Sequence, residues 1–350
     1  MKHIQPDVGI QTKYFKMNNN REIILKLKNV RTYFPVRKGV FKRTVGHIKA
    51  VDGVNLEIYR GETLGLVGES GCGKTTLGKS ILQLVKATEG EIIYNDKNNE
   101  RDLRKLNSEE MKDVRKKLQI VFQDPHSSLN PAFTVFGSLE DPLKIYGVKS
   151  KAERRRIIGD LLEAVNMRRE QMDLYPHEFS GGQRQRIGIA RALCIDPDLI
   201  VLDEAVSALD VSIQAQVLQL LKKIKEERNL TFIFITHDLS VVEFVSDRVA
   251  VMYLGKIVEL AMSEDLYGNA LHPYTKALLS AIPVADLDRR KERINLLGDV
   301  PNPINPPSGC PFHPRCSMSQ DRCKIEVPHL INYSKDSNEH LAACHIINQT

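Results

Sequence analysis

The chain has 350 residues, of which 42% are hydrophobic, and this length and composition predict two domains with at least one sizeable core. Its apolar runs are much shorter than the roughly twenty residues that cross a bilayer, and residues 1–20 lack the apolar centre of a secretory signal, so we expect a cytosolic protein without membrane spans. The net charge of +6 arises in residues 1–49, which contain twelve Lys or Arg and two acidic residues. The remaining residues carry a slightly negative net charge, which argues against nucleic-acid binding by that part of the chain.

The N-terminal part of the chain is polar and basic. We expect residues 1–20 to form a flexible tail, and a solvated basic arm is favoured over attraction to an anionic membrane surface. A strand-like segment over residues 21–30 leads to Tyr33 and Phe34, whose rings could stack on a purine, although core packing is favoured at this point. Two segments follow, a basic insertion over residues 35–49 and a strand over residues 50–59.

The sequence GESGCGKTT lies between an apolar strand-like run and a helix predicted over residues 74–86. Its glycines allow a tight turn that brings backbone N–H groups toward an anion, and the helix adds the positive end of its dipole. Lys74 is predicted to reach the β- and γ-phosphates of a nucleotide, and Thr75 to offer its hydroxyl to Mg²⁺. We name this segment the phosphate cradle; it consists of Gly68, Glu69, Ser70, Gly71, Cys72, Gly73, Lys74, Thr75 and Thr76.

Polar residues follow three later apolar segments. In an open α/β sheet, ligands bind beyond the carboxyl ends of the strands, where Gln123, Asp203, Glu204 and His237 are expected. Two acids on an apolar strand are costly unless a cation or a reaction uses them. Asp203 suits a Mg²⁺ shell, and Glu204 suits positioning or deprotonating a water. The strands are predicted over residues 118–122, 199–202 and 231–236.

A helical insertion over about residues 130–195 interrupts the alternation of strands and helices. Within it, the sequence FSGGQRQRIGIARAL places Ser180 as a natural N-cap, and Gly181 and Gly182 leave the backbone accessible. A second helix N-terminus is therefore predicted to face an anion. Two helices are predicted over residues 135–146 and 151–167, and the segment SALD, residues 207–210, opens the next helix.

The C-terminal region is rich in proline and cysteine. After two strands within residues 249–257 and a helical segment over residues 264–281, we place a domain boundary following residue 282. The spacing of four cysteines matches no common zinc or ferredoxin pattern, yet in a reducing compartment zinc or iron–sulfur is favoured over unpaired thiols. The four are Cys310, Cys316, Cys323 and Cys344. Zinc remains possible because His313, His340 and His345 could also serve as ligands, whereas Cys72 and Cys194 are expected to pack rather than to bind a metal.

Taken in order, these motifs resemble the ATP-binding-cassette ATPase family over residues 23–281. The resemblance implies an α/β P-loop NTPase cassette with a mixed sheet core, an antiparallel β subdomain and the inserted helical subdomain. This cassette would span residues 21–282, followed by a small cysteine-containing extension over residues 283–350. The sequences that carry the resemblance are GESGCGKT, VFQDP, FSGGQ, LIVLDE, SALD and THD.

In that family two cassettes pack head to tail and enclose ATP between the cradle of one and the FSGGQ segment of the other. By resemblance, Glu204 is the catalytic base, His237 contacts the γ-phosphate, and Gln123 and Asp203 join Thr75 around Mg²⁺ and water. The resemblance assigns further ATP contacts to Phe34, with Tyr33 as the alternative adenine-stacking ring, to the cradle, and to Ser180, Gly181, Gly182, Gln183 and Asp210.

Two further stretches, FQDPHSSLNP at residues 122–131 and GDVPNPINPPSGCPFHPRC at residues 298–316, look like those of ATPase subunits of oligopeptide and dipeptide importers, specifically the second subunit. Ala205 departs from the proline usual after the base, which we expect to alter local stiffness only. The resemblance implies a [4Fe–4S] cluster at the four cysteines, with Zn²⁺ as the alternative. It also implies a peripheral protein on the cytoplasmic face of the membrane, with a second ATPase subunit in a heterodimer, two permeases and an extracytoplasmic peptide-binding protein as partners.

Two other functions remain open from the sequence. The same ATPase could serve an importer of nickel or another small solute, because the cargo is chosen by other subunits. A soluble cassette ATPase acting on nucleic acid or ribosomes is disfavoured, since such proteins tend to carry paired cassettes or long coiled-coil insertions and this chain shows one cassette and no such insertion.

Overall fold

The computed structural model describes residues 21–39, 43–97, 99–124, 128–282, 293–334 and 338–347. The predicted tail over residues 1–20, the segment directly after the predicted boundary, and residues 125–127 of FQDPHSSLNP lie outside the described residues. Within the described ranges, no helix is both long enough and apolar enough to span a membrane.

The strands are β1 (Ile23–Lys38), β2 (Arg43–Tyr59), β3 (Thr63–Val67), β4 (Glu89–Asp96), β5 (Asn99–Asp102), β6 (Leu118–Val121), β7 (Leu199–Asp203), β8 (Thr231–Ile235), β9 (Arg248–Tyr253), β10 (Lys256–Met262), β11 (Ile331–Asn332) and β12 (His340–Ala342). The α-helices are α1 (Lys74–Ile81), α2 (Ser108–Lys117), α3 (Val135–Ile145), α4 (Lys151–Ala164), α5 (Gly181–Leu193), α6 (Val211–Arg228), α7 (Leu239–Val245), α8 (Ser263–Asn269), α9 (Pro273–Ser280) and α10 (Asp321–Ile325).

Four strands form an antiparallel sheet in the order β2-β1-β4-β5. β1 and β2 make a long hairpin in which Phe34 pairs with Ile48 and Pro35 pairs with His47. The prediction of a basic insertion over residues 35–49 is therefore wrong, because most of that segment is paired strand. The pairing continues since each strand satisfies the backbone hydrogen bonds of the other, while the charged side chains at its open end remain exposed to water.

Eight strands form the main sheet in the order β11-β12-β10-β9-β3-β8-β7-β6. The run from β9 to β6 is parallel throughout. β3, β7, β8 and β9 are buried along their whole length, as expected for apolar strands that are covered on both faces. Because parallel strands end at the same edge of a sheet, the residues that follow β3, β6, β7 and β8 are brought to one edge.

The helices between β6 and β7 share a core with the main sheet. Buried residues of α3, α4 and α5 belong to one cluster with Leu202 of β7 and Val217 of α6. The helices predicted over residues 135–146 and 151–167 are confirmed as α3 and α4, with the second ending three residues earlier than predicted. The helical insertion is thus fixed against the strands that carry the polar strand ends.

Two other predicted helices have different bounds. The first was predicted over residues 74–86, but α1 ends at Ile81 because the chain turns at Gln83, whose φ is +53°. The helical segment predicted over residues 264–281 is two helices, α8 and α9, which break before Pro273 because the residue before a proline disfavours helical geometry.

The C-terminal region completes the main sheet. β12 pairs antiparallel with β10, which places His340 opposite Ala261, and β11 pairs with β12. Phe312 packs in the same buried cluster as Val67 of β3 and Val251 of β9. The described residues beyond the predicted boundary therefore share both the sheet and the core of the preceding ones.

A buried polar network fastens β12 and α9 to β10. The Glu259 carboxylate lies 2.7 Å from His340 Nε2 and accepts hydrogen bonds from the backbone N–H groups of Leu271 and His272 at 2.7 and 3.0 Å. Burial acts to raise the pKa of Glu259, but these hydrogen bonds outweigh it and hold that pKa below its usual value. His272 caps α9 by accepting from the Tyr274 N–H, and burial lowers the pKa of His272 to about 4.

We predict that the buried His272 makes the free energy of unfolding depend on pH. The unfolded chain takes up a proton at His272 below about pH 6.5, whereas the folded chain resists it down to about pH 4, so stability falls as the pH drops through this window, by on the order of 3 kcal/mol. His272→Asn keeps a helix-capping side chain and should make the free energy of unfolding depend less on pH, as measured by urea unfolding from pH 7 to pH 4. The exposed His47→Asn variant is the control, and an unchanged pH slope in His272→Asn would contradict the assignment.

Candidate functional site

The phosphate cradle connects β3 to α1 and is crowded by two neighbouring strands. A Cβ at Gly73, where φ is +109°, would lie 1.9 Å from the carbonyl oxygen of Ala50 in β2. A Cβ at Gly68 would lie 2.2 Å from the carbonyl oxygen of Met252 in β9. Glycine is required at both positions because the loop turns against backbone on two sides.

The first turn of α1 presents positive groups at the cradle. Gly73 is the N-cap and provides no side-chain bond, so the first N–H groups of the helix lack a side-chain acceptor. Lys74 is buried, and its Nζ donates to the carbonyl oxygens of Gly68 at 2.7 Å and Glu69 at 3.1 Å. The ammonium group therefore lies over the loop that was predicted to hold phosphates.

A hydrogen bond joins the cradle to the end of β7. Thr75 Oγ1 donates to Asp203 Oδ1 at 2.7 Å. Burial raises the pKa of Asp203, and this bond and nearby Lys79 oppose the shift only in part. The hydroxyl and the carboxylate are oxygen donors of the kind Mg²⁺ prefers, and the buried carboxylate gains from a cation beside it. Thr75 and Asp203 thus fit the predicted Mg²⁺ site.

Glu204 lies at the centre of the other polar strand ends. Its Oε2 accepts from Gln123 Nε2 at 2.8 Å and lies 3.5 Å from His237 Nδ1. Its backbone is left-handed, with φ +49°, and its N–H donates to the carbonyl oxygen of Ile235 at 2.9 Å. A non-glycine residue held there costs about 1 kcal/mol or more, a cost found most often where a side chain must be aimed for function.

The two candidate aromatic rings differ in their environment. Phe34 is exposed and pairs with Ile48, two residues before the Ala50 carbonyl that lies against Gly73. The Tyr33 hydroxyl instead donates to Asp52 at 2.5 Å, and burial together with this bond raises the pKa of Tyr33 to about 12. The geometry favours Phe34 over Tyr33 as the ring available for stacking.

The FSGGQ segment caps α5 at a separate place in the chain. Ser180 and Gln183 form a reciprocal capping box, with bonds of 3.0 and 3.3 Å. Gly182 lies against Ile213 of α6, and Asp210 caps α6 by accepting from the Ile213 N–H. In the described part of the chain, no hydrogen bond or ion pair joins residues 180–183 to the cradle. A single chain therefore presents two separate candidate surfaces for phosphate.

The cysteines fall into two groups. Cys72 and Cys194 pack in hydrophobic clusters, as predicted. The four C-terminal cysteines come together in the cluster around Phe312, and burial raises the pKa of Cys310 to about 11, which favours the thiol.

Across the described ranges, however, no group of three or more His, Cys, Asp or Glu side chains is arranged to hold a metal ion, so the predicted iron–sulfur or zinc site gains no support. The histidines considered for zinc contact other groups: His313 the Cys310 carbonyl, His340 Glu259 and His345 the Glu326 carbonyl.

Two contacts to the cradle come from residues to which the sequence analysis assigned no role. The Glu69 carboxylate is held by Arg315 of the C-terminal region, and the Glu69 N–H donates to the Tyr274 hydroxyl of α9. These residues lie 246 and 205 positions away in sequence, so only the folded structure reveals them.

Two family models match the chain. The model described as "ABC transporter" matches residues 51–207, which include the cradle and the polar ends of β6 and β7. The model described as "Oligopeptide/dipeptide transporter, C-terminal region" matches residues 258–323.

Curated relatives and solved structures are similar over most of the chain. The oligopeptide transport ATP-binding protein AppF of Bacillus subtilis is 50% identical over 330 residues, which cover 93% of this chain and 98% of that protein. The dipeptide transport ATP-binding protein DppF of Haemophilus influenzae is 48% identical over 310 residues, which cover 88% of this chain and 92% of that protein. A dimeric, post-hydrolysis structure of the ATP-binding cassette MJ0796 bound to ADP and Pi matches with a TM-score of 0.59 and 33% identity, over 68% of this chain and 98% of that chain.

We predict that Lys74→Ala weakens ATP binding by about two orders of magnitude, because a charge-assisted contact to the phosphates is lost from a desolvated site. The measurement is the dissociation constant for Mg–ATP from isothermal titration calorimetry. Lys86→Ala, an exposed lysine beyond the end of α1, is the matched control and should bind ATP as the unchanged protein does. Equal affinity in Lys74→Ala would show that the cradle does not hold the nucleotide.

Proposed function

The chain belongs to the ABC transporter family and carries the C-terminal region of its oligopeptide/dipeptide transporters, and from this premise we propose that it binds and hydrolyses ATP to drive the import of oligopeptides or dipeptides. One observation carries the hydrolytic part of this function: the cradle, Asp203, Glu204, Gln123 and His237 meet at a single edge of the main sheet. The peptide cargo is supported by the C-terminal match and by the names of the relatives.

The residues at the sheet edge have different roles in hydrolysis. Lys74 turns its ammonium from the loop carbonyls onto the phosphates, and the N–H groups of α1 bind the same oxygens. Thr75 and Asp203 would hold Mg²⁺, which would neutralise charge on the phosphate oxygens. Glu204 Oε2 accepts a proton from the attacking water, while Gln123 and His237, already within 3.5 Å of that atom, orient the water and the γ-phosphate.

A second cassette completes the site. The Ser180–Gln183 segment and Asp210 cap the starts of two helices, and in the described residues no hydrogen bond or ion pair joins this segment to the cradle of its own chain. Both helix starts are therefore proposed to contact ATP that is held by a partner packed head to tail. The similarity to dimeric cassette structures supports this arrangement. We propose that the partner is a second ATPase subunit in a heterodimer. ATP then holds the two cassettes together, and hydrolysis releases them.

The remaining partners follow from the transport function. Two permease subunits form the path across the membrane, and an extracytoplasmic binding protein delivers the peptide to them. The chain works as a peripheral subunit on the cytoplasmic face of the membrane. The similarity to transport ATP-binding proteins over nearly the whole chain supports this location.

The four C-terminal cysteines are the basis of a separate proposal. We propose that they bind a [4Fe–4S] cluster with a structural role, with Zn²⁺ as the alternative. Support comes from the donor set, since the four thiols of residues 310–344 all lie in or against one hydrophobic cluster. Their present arrangement is not that of a metal site, so the thiols would have to lose their protons and turn toward a common centre.

We predict that Glu204→Gln leaves the affinity for ATP intact and slows hydrolysis by about 10²–10⁴-fold, because the amide cannot accept the proton of water. Phosphate release and uptake of a labelled peptide are measured together in vesicles that contain the permeases and the partner cassette. Glu226→Gln, an exposed change on α6, is the control. Normal phosphate release by Glu204→Gln would remove the base assignment, and uptake of nickel in place of peptide would reassign the cargo.

We predict that anaerobically purified protein shows broad visible absorption that is bleached by reduction, with about four iron atoms per chain. Cys316→Ser should lose the colour and the iron, because a ligand is removed. Cys194→Ser, in the core of the helical insertion, should keep both. A colourless, zinc-loaded protein would replace the cluster with Zn²⁺, and a metal-free protein would leave four thiols in an apolar core.

A further inference from the structure

Arg315 makes a bidentate ion pair with Glu69 of the phosphate cradle. Nη1 lies 2.6 Å from Oε2 and Nη2 lies 3.0 Å from Oε1, a paired geometry that fixes both the distance and the orientation of the carboxylate. The arginine side chain is 7% exposed, and the glutamate side chain is 27% exposed. The pair is therefore largely shielded from salt and water, unlike an ordinary surface ion pair.

The arginine is held in place by an aromatic cluster. Its guanidinium lies 5.9 Å from the centre of the Tyr253 ring, and Tyr253 packs against Tyr274 and Phe312 with ring centres 4.7 and 5.3 Å apart. The Tyr274 hydroxyl accepts the backbone N–H of Glu69 at 2.9 Å. Glu69 is therefore held at two points: Arg315 binds its side chain, and Tyr274 binds its backbone.

Glu69 also influences the lysine of the cradle. Its carbonyl oxygen accepts from Lys74 Nζ at 3.1 Å, so a shift of Glu69 shifts one of the two carbonyls that position the ammonium group. A carboxylate on a loop that receives a polyphosphate repels that ligand unless its charge is cancelled nearby. Arg315 supplies the cancelling charge at direct contact.

We propose that Arg315 is a positioning residue of the nucleotide site: it fixes Glu69 and neutralises its charge, so that the C-terminal region sets the affinity of the cradle for a nucleoside triphosphate. This inference rests on the proposed ATP site. The alternative is an ion pair that only ties the C-terminal region to the cassette, and buried pairs are weak indicators of stability in themselves. The two roles differ in what happens when both charges are removed.

The test compares the Arg315→Gln variant, the Glu69→Gln variant and the double variant in the full chain with its partner cassette. Arg315→Gln leaves an unpaired carboxylate at the cradle, and we expect the KM for ATP to rise about tenfold with little change in kcat. Adding Glu69→Gln removes the repulsive charge and should restore the KM to within about twofold of the unchanged protein. Added salt should reduce the defect of Arg315→Gln because it screens the exposed part of the repulsion.

Arg322→Gln is the matched control, because Arg322 pairs with Glu326 on the exposed surface of the same C-terminal region. Its KM should be unchanged. If Arg315→Gln fails to fold, Arg315→Lys keeps the charge without the bidentate geometry and should raise the KM by about threefold.

The outcomes separate this inference from the proposed ATP site. An unchanged KM in Arg315→Gln, or a double variant no better than Arg315→Gln, would overturn the positioning role, provided that Lys74→Ala has lost ATP binding. If Lys74→Ala keeps its affinity for ATP, the proposed site itself fails. For Arg315→Lys, a KM equal to that of the unchanged protein would overturn the requirement for bidentate geometry and with it the positioning role.

Discussion

The parallel alignment of β6, β7, β8 and β3 is the constraint on which the rest of the molecule depends. These strands end at one edge because they run in the same direction, and the two central strands β7 and β8 are wholly buried, so the polar residues that follow them are brought to that edge. The Thr75–Asp203 hydrogen bond links the phosphate cradle to the carboxylate end of β7 across this edge. Each candidate catalytic side chain lies within two residues of the end of a strand, which limits how far it can move.

The C-terminal region is joined to this edge as well as to the sheet. β12 continues the sheet beside β10, the Glu259 network ties both to the start of α9, and Tyr274 and Arg315 reach Glu69. A region with its own cysteine pattern is thus mechanically connected to the loop proposed to hold phosphate. This connection gives a physical reason for the region to accompany the cassette, beyond any role of a metal.

The motifs predicted the cassette fold and the strand-end residues because each depends on local chemistry: glycine at positive φ, an N-capping serine, or an apolar strand ending in acids. What the sequence could not predict depends on distant contacts. The extension of β1 to residue 38 and the start of β2 at residue 43 are decided by pairing between strands that are both rich in charge. The left-handed backbone of Glu204 and the bond between Arg315 and Glu69 arise only when remote segments meet. The four cysteines were expected to form a metal site, and they meet without the geometry of one.

The central claim is that ATP binds to the cradle of one chain and is closed over by residues 180–183 of another. The most direct measurement is amide hydrogen exchange over residues 68–76 and 180–183, for the dilute chain alone and for the chain mixed with its partner cassette, each with and without Mg–ATP. We predict that ATP slows exchange at residues 68–76 in both samples, and at residues 180–183 only when the partner is present. Unchanged exchange at residues 68–76, or protection of residues 180–183 in the isolated monomer, would contradict the claim.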